Sequence, residues 1–162
     1  SFTSGIDDTY DSYVFKFYNI HPATDNVQFL FNMSSDSGSN YNVTKTTTYF
    51  LAEHNATGGS ANLSYQSAKD LAQSTDFQKL MTDLGNAADE NLSGYLTIYN
   101  PSSTTFAKHF MSRTNAQAYS ATNISFDNYI AGYGNTTSAV DAIQFKMSSG
   151  NFDGVIKLYG VS

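Results

Sequence analysis

The chain has 162 residues, a length that suits one domain with a sizeable core, and charged residues make up only 14% of it. A net charge of −6, with only eight Lys and Arg, excludes the clustered basic surface that nucleic acid requires and is equally unsuited to an anionic membrane. The absence of cysteine excludes disulfides, thiolate metal sites and cysteine nucleophiles, and no apolar stretch reaches the ~18 residues of a transmembrane helix. We expect a single domain over residues 1–162, with no nucleic acid and no membrane as partner.

Alternating apolar residues predict strands in the first third of the chain. Residues 13–20 and 27–33 follow a period of two, and Pro22 ends the first segment because proline cannot donate to a β-ladder. A β-branched run over 41–54 predicts the third strand.

One short helix is predicted near residues 76–84. Its apolar residues fall at helical spacing: Phe77, Leu80, Met81 and Leu84. Thr75 and Gln78 fit a capping box, and Gly85 lies where a C-terminal cap is expected.

Strands resume in the second half of the chain, at residues 94–100, 104–113 and 123–132. The segments 139–147 and 154–160 flank a Ser/Gly/Asn/Asp turn and predict a terminal β-hairpin. Eight strands and one helix predict an all-β fold, an antiparallel two-sheet β-sandwich of jelly-roll type with one short helix near 76–84.

The last strand carries apolar residues on both of its faces. Ile156 and Leu158 cannot share a face with Val155 and Tyr159, because side chains alternate along a strand. One of these two pairs should therefore face the core.

Candidate catalytic and metal-binding residues have plain structural interpretations. His21, His54 and His109 lack metal-ligand spacing, and a structural or surface role is favoured. The acidic group Asp7, Asp8 and Asp11 offers oxygen ligands for calcium but lacks the order of a calcium loop, so a solvated charge run is favoured. Asp89 and Glu90 offer half of a glycosidase pair, and two exposed acids in a polar loop are the favoured interpretation.

No nucleophile elbow or phosphate loop occurs in the sequence, so we expect no enzyme activity, no catalytic residue, no metal and no cofactor. Seven Asn-x-Ser/Thr sequons follow from a composition rich in these residues, and those at Asn32 and Asn42 fall in predicted strands, which are poor places for a glycan.

Twelve tyrosines exceed what one core needs. Tyrosine outside a core suits interfaces, because it is apolar with one polar tip. The same ring stacks on sugars, so carbohydrate binding stays open beside the simpler interpretation of half-buried strand residues.

Several segments along nearly the whole chain resemble a family of small uncharacterised proteins encoded by marine tailed bacteriophages, including cyanophages and environmental phages. The matching segments are residues 1–7 (SFTSGID), 20–25 (IHPATD), 38–48 (GSNYNVTKTTT), 84–90 (LGNAADE), 100–110 (NPSSTTFAKHF) and 131–160, from AGY to YG. The resemblance implies a virion structural or accessory protein, and it supplies no catalytic or binding residues to carry over. Members of the family begin further upstream, which implies an N-terminal segment for attachment to the virion that this sequence lacks.

The expected function is therefore that of a non-enzymatic phage virion protein, such as a capsid decoration protein, a head fibre or a tail component. It would act by self-association, as a trimer or another closed oligomer, and by docking to a capsid or tail protein. The alternative is a receptor- or glycan-binding module at the tip of a fibre, which would contact a host surface glycan.

Overall fold

The computed structural model describes residues 1–120 and 123–162, which form ten β-strands and no helix. In chain order the strands are β1 (Ser12–Pro22), β2 (Val27–Ser34), β3 (Lys45–Asn55), β4 (Ala61–Tyr65), β5 (Gln78–Leu84), β6 (Leu92–Tyr99), β7 (Lys108–Ala118), β8 (Ile124–Gly134), β9 (Ala142–Met147) and β10 (Phe152–Val161). The prediction of an all-β chain is confirmed, with two strands more than the eight expected.

The strands form two antiparallel sheets that share one core. The large sheet has seven strands in the order β10-β1-β6-β7-β8-β3-β4, and the small sheet has three in the order β5-β2-β9. Buried apolar residues of both sheets belong to one cluster. The small sheet therefore covers the inner face of the large one, as the two-sheet prediction requires.

Aromatic rings fill the space between the sheets. Tyr13, Phe15 and Phe17 alternate along β1, and all three are buried. Rings from the large sheet meet rings of the small sheet edge-on: the centroids of Phe17 and Phe29 are 5.2 Å apart. Such edge-to-face pairs stabilise a core beyond the area that they bury.

Three strand pairs are nested along the chain: β1 with β10, β2 with β9, and β3 with β8. The outermost and innermost pairs lie in the large sheet, and the middle pair lies in the small sheet. The chain therefore passes from one sheet to the other between β1 and β2, and again between β9 and β10.

This nesting makes the predicted terminal hairpin wrong. Segments 139–147 and 154–160 do contain strands, but β9 pairs with β2 and β10 pairs with β1. Alternation shows which residues of a strand face inward, and it carries no information about the partner strand. The short polar turn between β9 and β10 thus connects two layers.

The predicted helix near residues 76–84 is also wrong, because this segment forms β5. Two irregularities in its pairing with β2 set Leu84 opposite Val27 and Met81 opposite Phe29. Asp83, between them, has a φ of 56°, a left-handed conformation typical of a bulge. The bulges bury Leu80, Met81 and Leu84 at a spacing that imitates one face of a helix.

Gly85 has a different role from the predicted helix cap. A Cβ atom at this position would overlap the carboxylate of Glu90. Glu90 is buried, and one of its oxygens accepts a hydrogen bond from the backbone N–H of Ala87 at 3.0 Å. Glycine therefore provides the space for an acid that ties down the loop after β5.

The last strand places one apolar pair toward the core, as predicted. Ile156 and Leu158 pack on the core, whereas Val155 and Tyr159 are 49% and 43% exposed.

Two lysines, Lys45 and Lys108, are fully buried, and nothing in the sequence indicated it. The Nζ atom of Lys45 donates to Asn32 Oδ1 at 2.6 Å and to the carbonyl of Val43 at 2.7 Å. Asn32 is itself buried, which excludes the sequon at that position as a surface site for a glycan.

Candidate binding surface

The outer face of the large sheet, which points away from the small sheet, is rich in exposed apolar side chains. Among the described residues, 11 of the 14 exposed large apolar side chains lie on it. They are Tyr18, Phe50, Leu63, Tyr65, Tyr95, Tyr99, Met111, Tyr129, Val155, Tyr159 and Val161. Large exposed apolar patches are typical of interaction sites, so this face is the candidate binding surface.

A row of aromatic and basic side chains crosses this face at one level of the strands. From the β4 edge inward, the register aligns Tyr65, Phe50, Tyr129, Arg113 and Tyr95. We call these five residues the aromatic row. Lys16 of β1 and Lys157 of β10 continue the same level to the other edge. Because strands lie about 4.8 Å apart, Tyr129 and Tyr95 stand roughly 10 Å apart on either side of Arg113.

Three side chains at the centre of the row hold one another in place. Arg113 donates to both carboxylate oxygens of Asp127, from Nε at 3.0 Å and from Nη2 at 2.7 Å. Its guanidinium lies 4.8 Å from the ring centroid of Tyr129, whose hydroxyl donates to Asp127 Oδ2 at 3.1 Å. This fork geometry and the ring contact are typical uses of arginine.

The ionisation of these groups follows from their contacts. The hydrogen bond from Arg113 keeps the pKa of Asp127 below its ordinary value, and the same pair raises the pKa of Arg113. Loss of solvent, followed by the hydrogen bond to Asp127, raises the pKa of Tyr129. At neutral pH the cluster therefore consists of a carboxylate, a guanidinium and a neutral phenol.

A shallow trough runs beside the aromatic row. Two adjoining depressions of about 260 and 270 Å³ share a floor of Thr48, Met111 and Ala131. Phe50, Tyr95, Arg113 and Tyr129 of the row line one side of the trough. On the other side, His109 and Tyr133 stand with their ring centroids 6.1 Å apart. The unbranched side chain of Met111 and the small side chains of Thr48 and Ala131 thus leave open space between two rows of ring-bearing residues.

Charge on the outer face differs from that of the whole chain. Of the 14 Asp and Glu, only Asp127 and Asp153 take outward positions on the large sheet among the described residues. Lys16, Arg113 and Lys157 lie on the same face. An acidic protein therefore carries a face on which basic groups outnumber carboxylates.

The predicted candidate residues are not brought together by the fold. His21 and His54 lie near the ends of β1 and β3, and His109 lies at the trough. No group of three or more metal-ligating side chains occurs in residues 1–120 and 123–162. His109 lines the trough, whereas His54 takes an exposed outward position near the end of β3.

The acidic candidates have structural contacts. Asp7 accepts a hydrogen bond from the hydroxyl of Tyr13 at 2.7 Å, and its hydrogen bonds, chiefly from Thr9, lower its pKa. Asp89 accepts from Gln117 at 2.8 Å, and Glu90 is buried with its loop. Asp7 and Asp89 thus fasten loops to β1 and β7, whereas Glu90 binds within its own loop. The expectation of two exposed acids is therefore wrong for Glu90, because its carboxylate turns inward to the backbone of that loop.

The central pair was missed in the sequence because it forms no motif. Arg113 and Asp127 lie 14 residues apart on the two strands of one hairpin, and only the register of β7 and β8 brings them together. The sequence feature that bears on them is the two-residue alternation of buried and exposed side chains, which places both residues on the outward side of their strands once the sheet is known.

Comparison with protein-family models, with curated proteins and with solved structures found no match to this chain. Within the described part of the chain there is no helix with the length and apolar character needed to cross a membrane.

Proposed function

We propose that this chain is a non-enzymatic structural or accessory protein of a tailed-phage virion, which associates with copies of itself and docks to a capsid or tail protein. The observation that carries the association is the open edge of the large sheet at β10, together with the apolar side chains beside it. The virion is proposed from the resemblance of the sequence to phage proteins.

The finer fold proposed is a jelly roll. A jelly roll wraps antiparallel strand pairs so that each pair encloses the next along the chain. The nested pairs β1–β10, β2–β9 and β3–β8 support this topology. Jelly rolls are common in viral capsids, which agrees with the proposed location.

The four sheet edges differ in how they are protected. β4 has only five residues, and the pairing of β5 is bulged. The edge strand β9 is partly covered by Phe2, which exchanges two backbone hydrogen bonds with Ile143 at 2.8 and 2.9 Å. Strand β10 has ten residues and keeps a regular register with β1 from Val155 to Val161. Long regular edges favour pairing with another chain.

Apolar side chains lie next to this open edge on the outer face. Val155, Tyr159 and Val161 of β10 are each between 43% and 49% exposed, and Tyr99 follows two strands inward. We call these four residues the β10 strip. The ammonium of Lys157 leans over the ring of Tyr18 at 5.5 Å, toward β1 and away from the open edge. The ammonium of Lys16 lies 5.4 Å from the ring centroid of Tyr159, so the strip combines apolar side chains with one neighbouring positive charge. Closed symmetry is usual for identical copies, and the oligomer that we propose is a trimer.

Two glutamates in the β10 strip are expected to separate the copies. Light scattering on the purified parent should give a mass about three times that of the 17.7 kDa monomer. The double variant Val155→Glu/Val161→Glu should give the monomer mass at the same micromolar concentration, because buried unpaired carboxylates are costly.

Phe106→Glu is the matched control, since Phe106 is 67% exposed in the loop between β6 and β7 and is not a residue of the strip. It should keep the parent mass. Circular dichroism should show both variants folded, because exposed substitutions change stability by only about 0.5 kcal/mol. A closed oligomer of another size would contradict only the proposed trimer. A monomeric parent would contradict the proposal that the protein self-associates.

Location in the virion has a separate test. Immunogold labelling and mass spectrometry of purified particles of the encoding phage are expected to detect the protein. Particles that lack it should bind the purified protein again. Failure of both detection and rebinding would contradict the virion proposal.

A second candidate function, a receptor- or glycan-binding module at a fibre tip, is favoured by the aromatic row. Exposed tyrosines there stand beside Asp127 and Asn115, and another depression, of about 340 Å³, lies between Tyr95 and these polar groups. The row and the β10 strip share no residue, although Tyr95 of the row and Tyr99 of the strip both belong to β6.

A further inference from the structure

We propose that the aromatic row and the adjoining trough form a site for a saccharide that carries a carboxylate group. This inference rests on the second function proposed above, and it names the ligand class and the residues. Three observations carry it: the spacing of exposed rings, a guanidinium held between them with free donors, and the scarcity of carboxylates on this face.

The rings are suited to the apolar side of a sugar. Tyr129 is 39% exposed and Tyr95 is 43% exposed, so each phenol ring offers surface to solvent. The C–H groups on one side of a pyranose form an apolar patch that packs on an aromatic ring. Two rings roughly 10 Å apart, by strand spacing, match sugars separated by one intervening unit in an extended oligosaccharide.

Arg113 lies between the two rings and keeps donors free for a ligand. Its bonds to Asp127 use Nε and Nη2, and a guanidinium has five N–H donors. Its side chain is 51% exposed. The remaining N–H groups can therefore donate to a carboxylate or to neighbouring hydroxyls of a sugar bound along the row.

The site is largely rigid before a ligand arrives. Asp127 fixes the plane of Arg113, and Arg113 with Asp127 fixes the ring of Tyr129. The backbone of all three belongs to the central strands β7 and β8. Binding would therefore cost little side-chain entropy, which favours affinity for a small polar ligand.

Charge selects the ligand class. Asp127 is already paired with Arg113. Lys16 is opposite Tyr95 in the register, but its ammonium lies 5.4 Å from the ring centroid of Tyr159 on β10. At the β4 end of the row, the carboxylate of Asp70 accepts a hydrogen bond from the hydroxyl of Tyr65. Among the residues that the structure describes, no carboxylate other than Asp127 lies beside Arg113, Tyr95 or Tyr129 or lines the trough. An anionic sugar would meet little repulsion beside Arg113 and would gain attraction from its free N–H donors, although the chain as a whole is acidic.

The test is calorimetric titration of the whole chain with carboxylated probes, namely oligogalacturonate, alginate oligosaccharides and sialyllactose. Maltoheptaose and cellohexaose serve as neutral probes. At least one carboxylated probe is expected to bind with low-millimolar affinity or better, and more tightly than either neutral probe. Amide shifts in NMR spectra should be largest around Tyr95, Arg113 and Tyr129.

Tyr129→Ala and Tyr95→Ala should each weaken binding about tenfold, the effect of removing an anchoring aromatic ring. Arg113→Lys keeps the charge but loses the fork, and it should also weaken binding of the carboxylated probe. Tyr119→Ala is the matched control, because Tyr119 is 48% exposed outside the row. Circular dichroism of each variant confirms folding, and either tyrosine variant suffices if the other fails to fold.

Three results would overturn the site: no carboxylated probe bound at low millimolar concentration, equal binding of neutral probes, or an equal loss in Tyr119→Ala. The titrations are repeated on Val155→Glu/Val161→Glu. Those two positions lie outside the row. If this variant is monomeric and still binds the saccharide as the parent does, the site is supported independently of self-association.

Discussion

Phe145→Ala is expected to lower the free energy of unfolding by about 3–5 kcal/mol, the range for a large cavity in an aromatic core. The ring of Phe145 is 6% exposed and lies at the centre of the contact between the sheets. It packs against the rings of Phe2, Phe15, Phe17, Phe29 and Phe31. Because these rings come from both sheets, the cavity cannot close by moving one strand.

Urea unfolding followed by circular dichroism measures this change. Phe145→Leu keeps most of the volume and should cost only about 1–1.5 kcal/mol. Phe106→Ala removes an equal ring from an exposed turn and should change stability by about 0.5 kcal/mol or less. Equal losses in Phe145→Ala and Phe106→Ala would contradict the assigned core.

The stability of the parent is expected to rise with pH between about 7.5 and 9.5. Burial lowers the pKa of Lys45 to about 7, although the carboxylate of Asp76 offsets part of this effect. An unfolded lysine keeps its proton up to about pH 10.4, so in this window the unfolded chain binds more protons than the folded one. Linkage then gives a rise in unfolding free energy of about 2–3 kcal/mol.

The rise in unfolding free energy ends at higher pH, because the ionisation of Tyr49 lowers the stability of the folded chain there. Burial raises the pKa of Tyr49, so above about pH 10 the unfolded tyrosine loses a proton that the folded one keeps. Burial also lowers the pKa of Lys69 and of Lys108. Both lysines therefore add to the rise in unfolding free energy below about pH 10.

Lys45→Met should reduce the slope, because the buried group that changes charge is gone. Lys146→Met, at an exposed lysine of β9, should leave the slope as in the parent. Urea unfolding at several pH values gives the comparison. A parent whose stability is flat or falls over this window, or an unchanged slope in Lys45→Met, would show that Lys45 does not control it.

Period two in the sequence was sufficient to find most of the strands and their buried faces. Tyr13, Phe15 and Phe17 are inward as alternation predicts, and so are Ile156 and Leu158. It failed at β5, where bulges place Leu80 and Met81 both in the core. A bulge changes the phase of alternation, because an extra residue enters one strand. Here the three residues 79–81 of β5 lie opposite the two residues 29–30 of β2.

Pairing between distant strands was beyond local patterns. The turn after β9 has hairpin composition, yet the partners of β9 and β10 lie in the first quarter of the chain. The candidate site depends on the same information, since Arg113 and Asp127 meet only through the β7–β8 register. Lys45 gave no signal either, because its buried ammonium binds the amide oxygen of Asn32 on β2 and the nearby carbonyl of Val43, and neither group forms a recognisable pattern with a lysine.

The nested pairing also determines when the molecule can become stable during synthesis. Tyr13 is in register with Gly160, and Phe29 with Met147. The ribosome therefore synthesises β1 and β2 long before their partners β10 and β9, and until then the apolar faces of β1 and β2 stay exposed to solvent. Folding dominated by such distant contacts is slow, and chains caught in this interval are prone to aggregate. The low-charge Ser/Thr/Asn surface that leaves the finished protein free to associate gives the nascent chain little electrostatic protection.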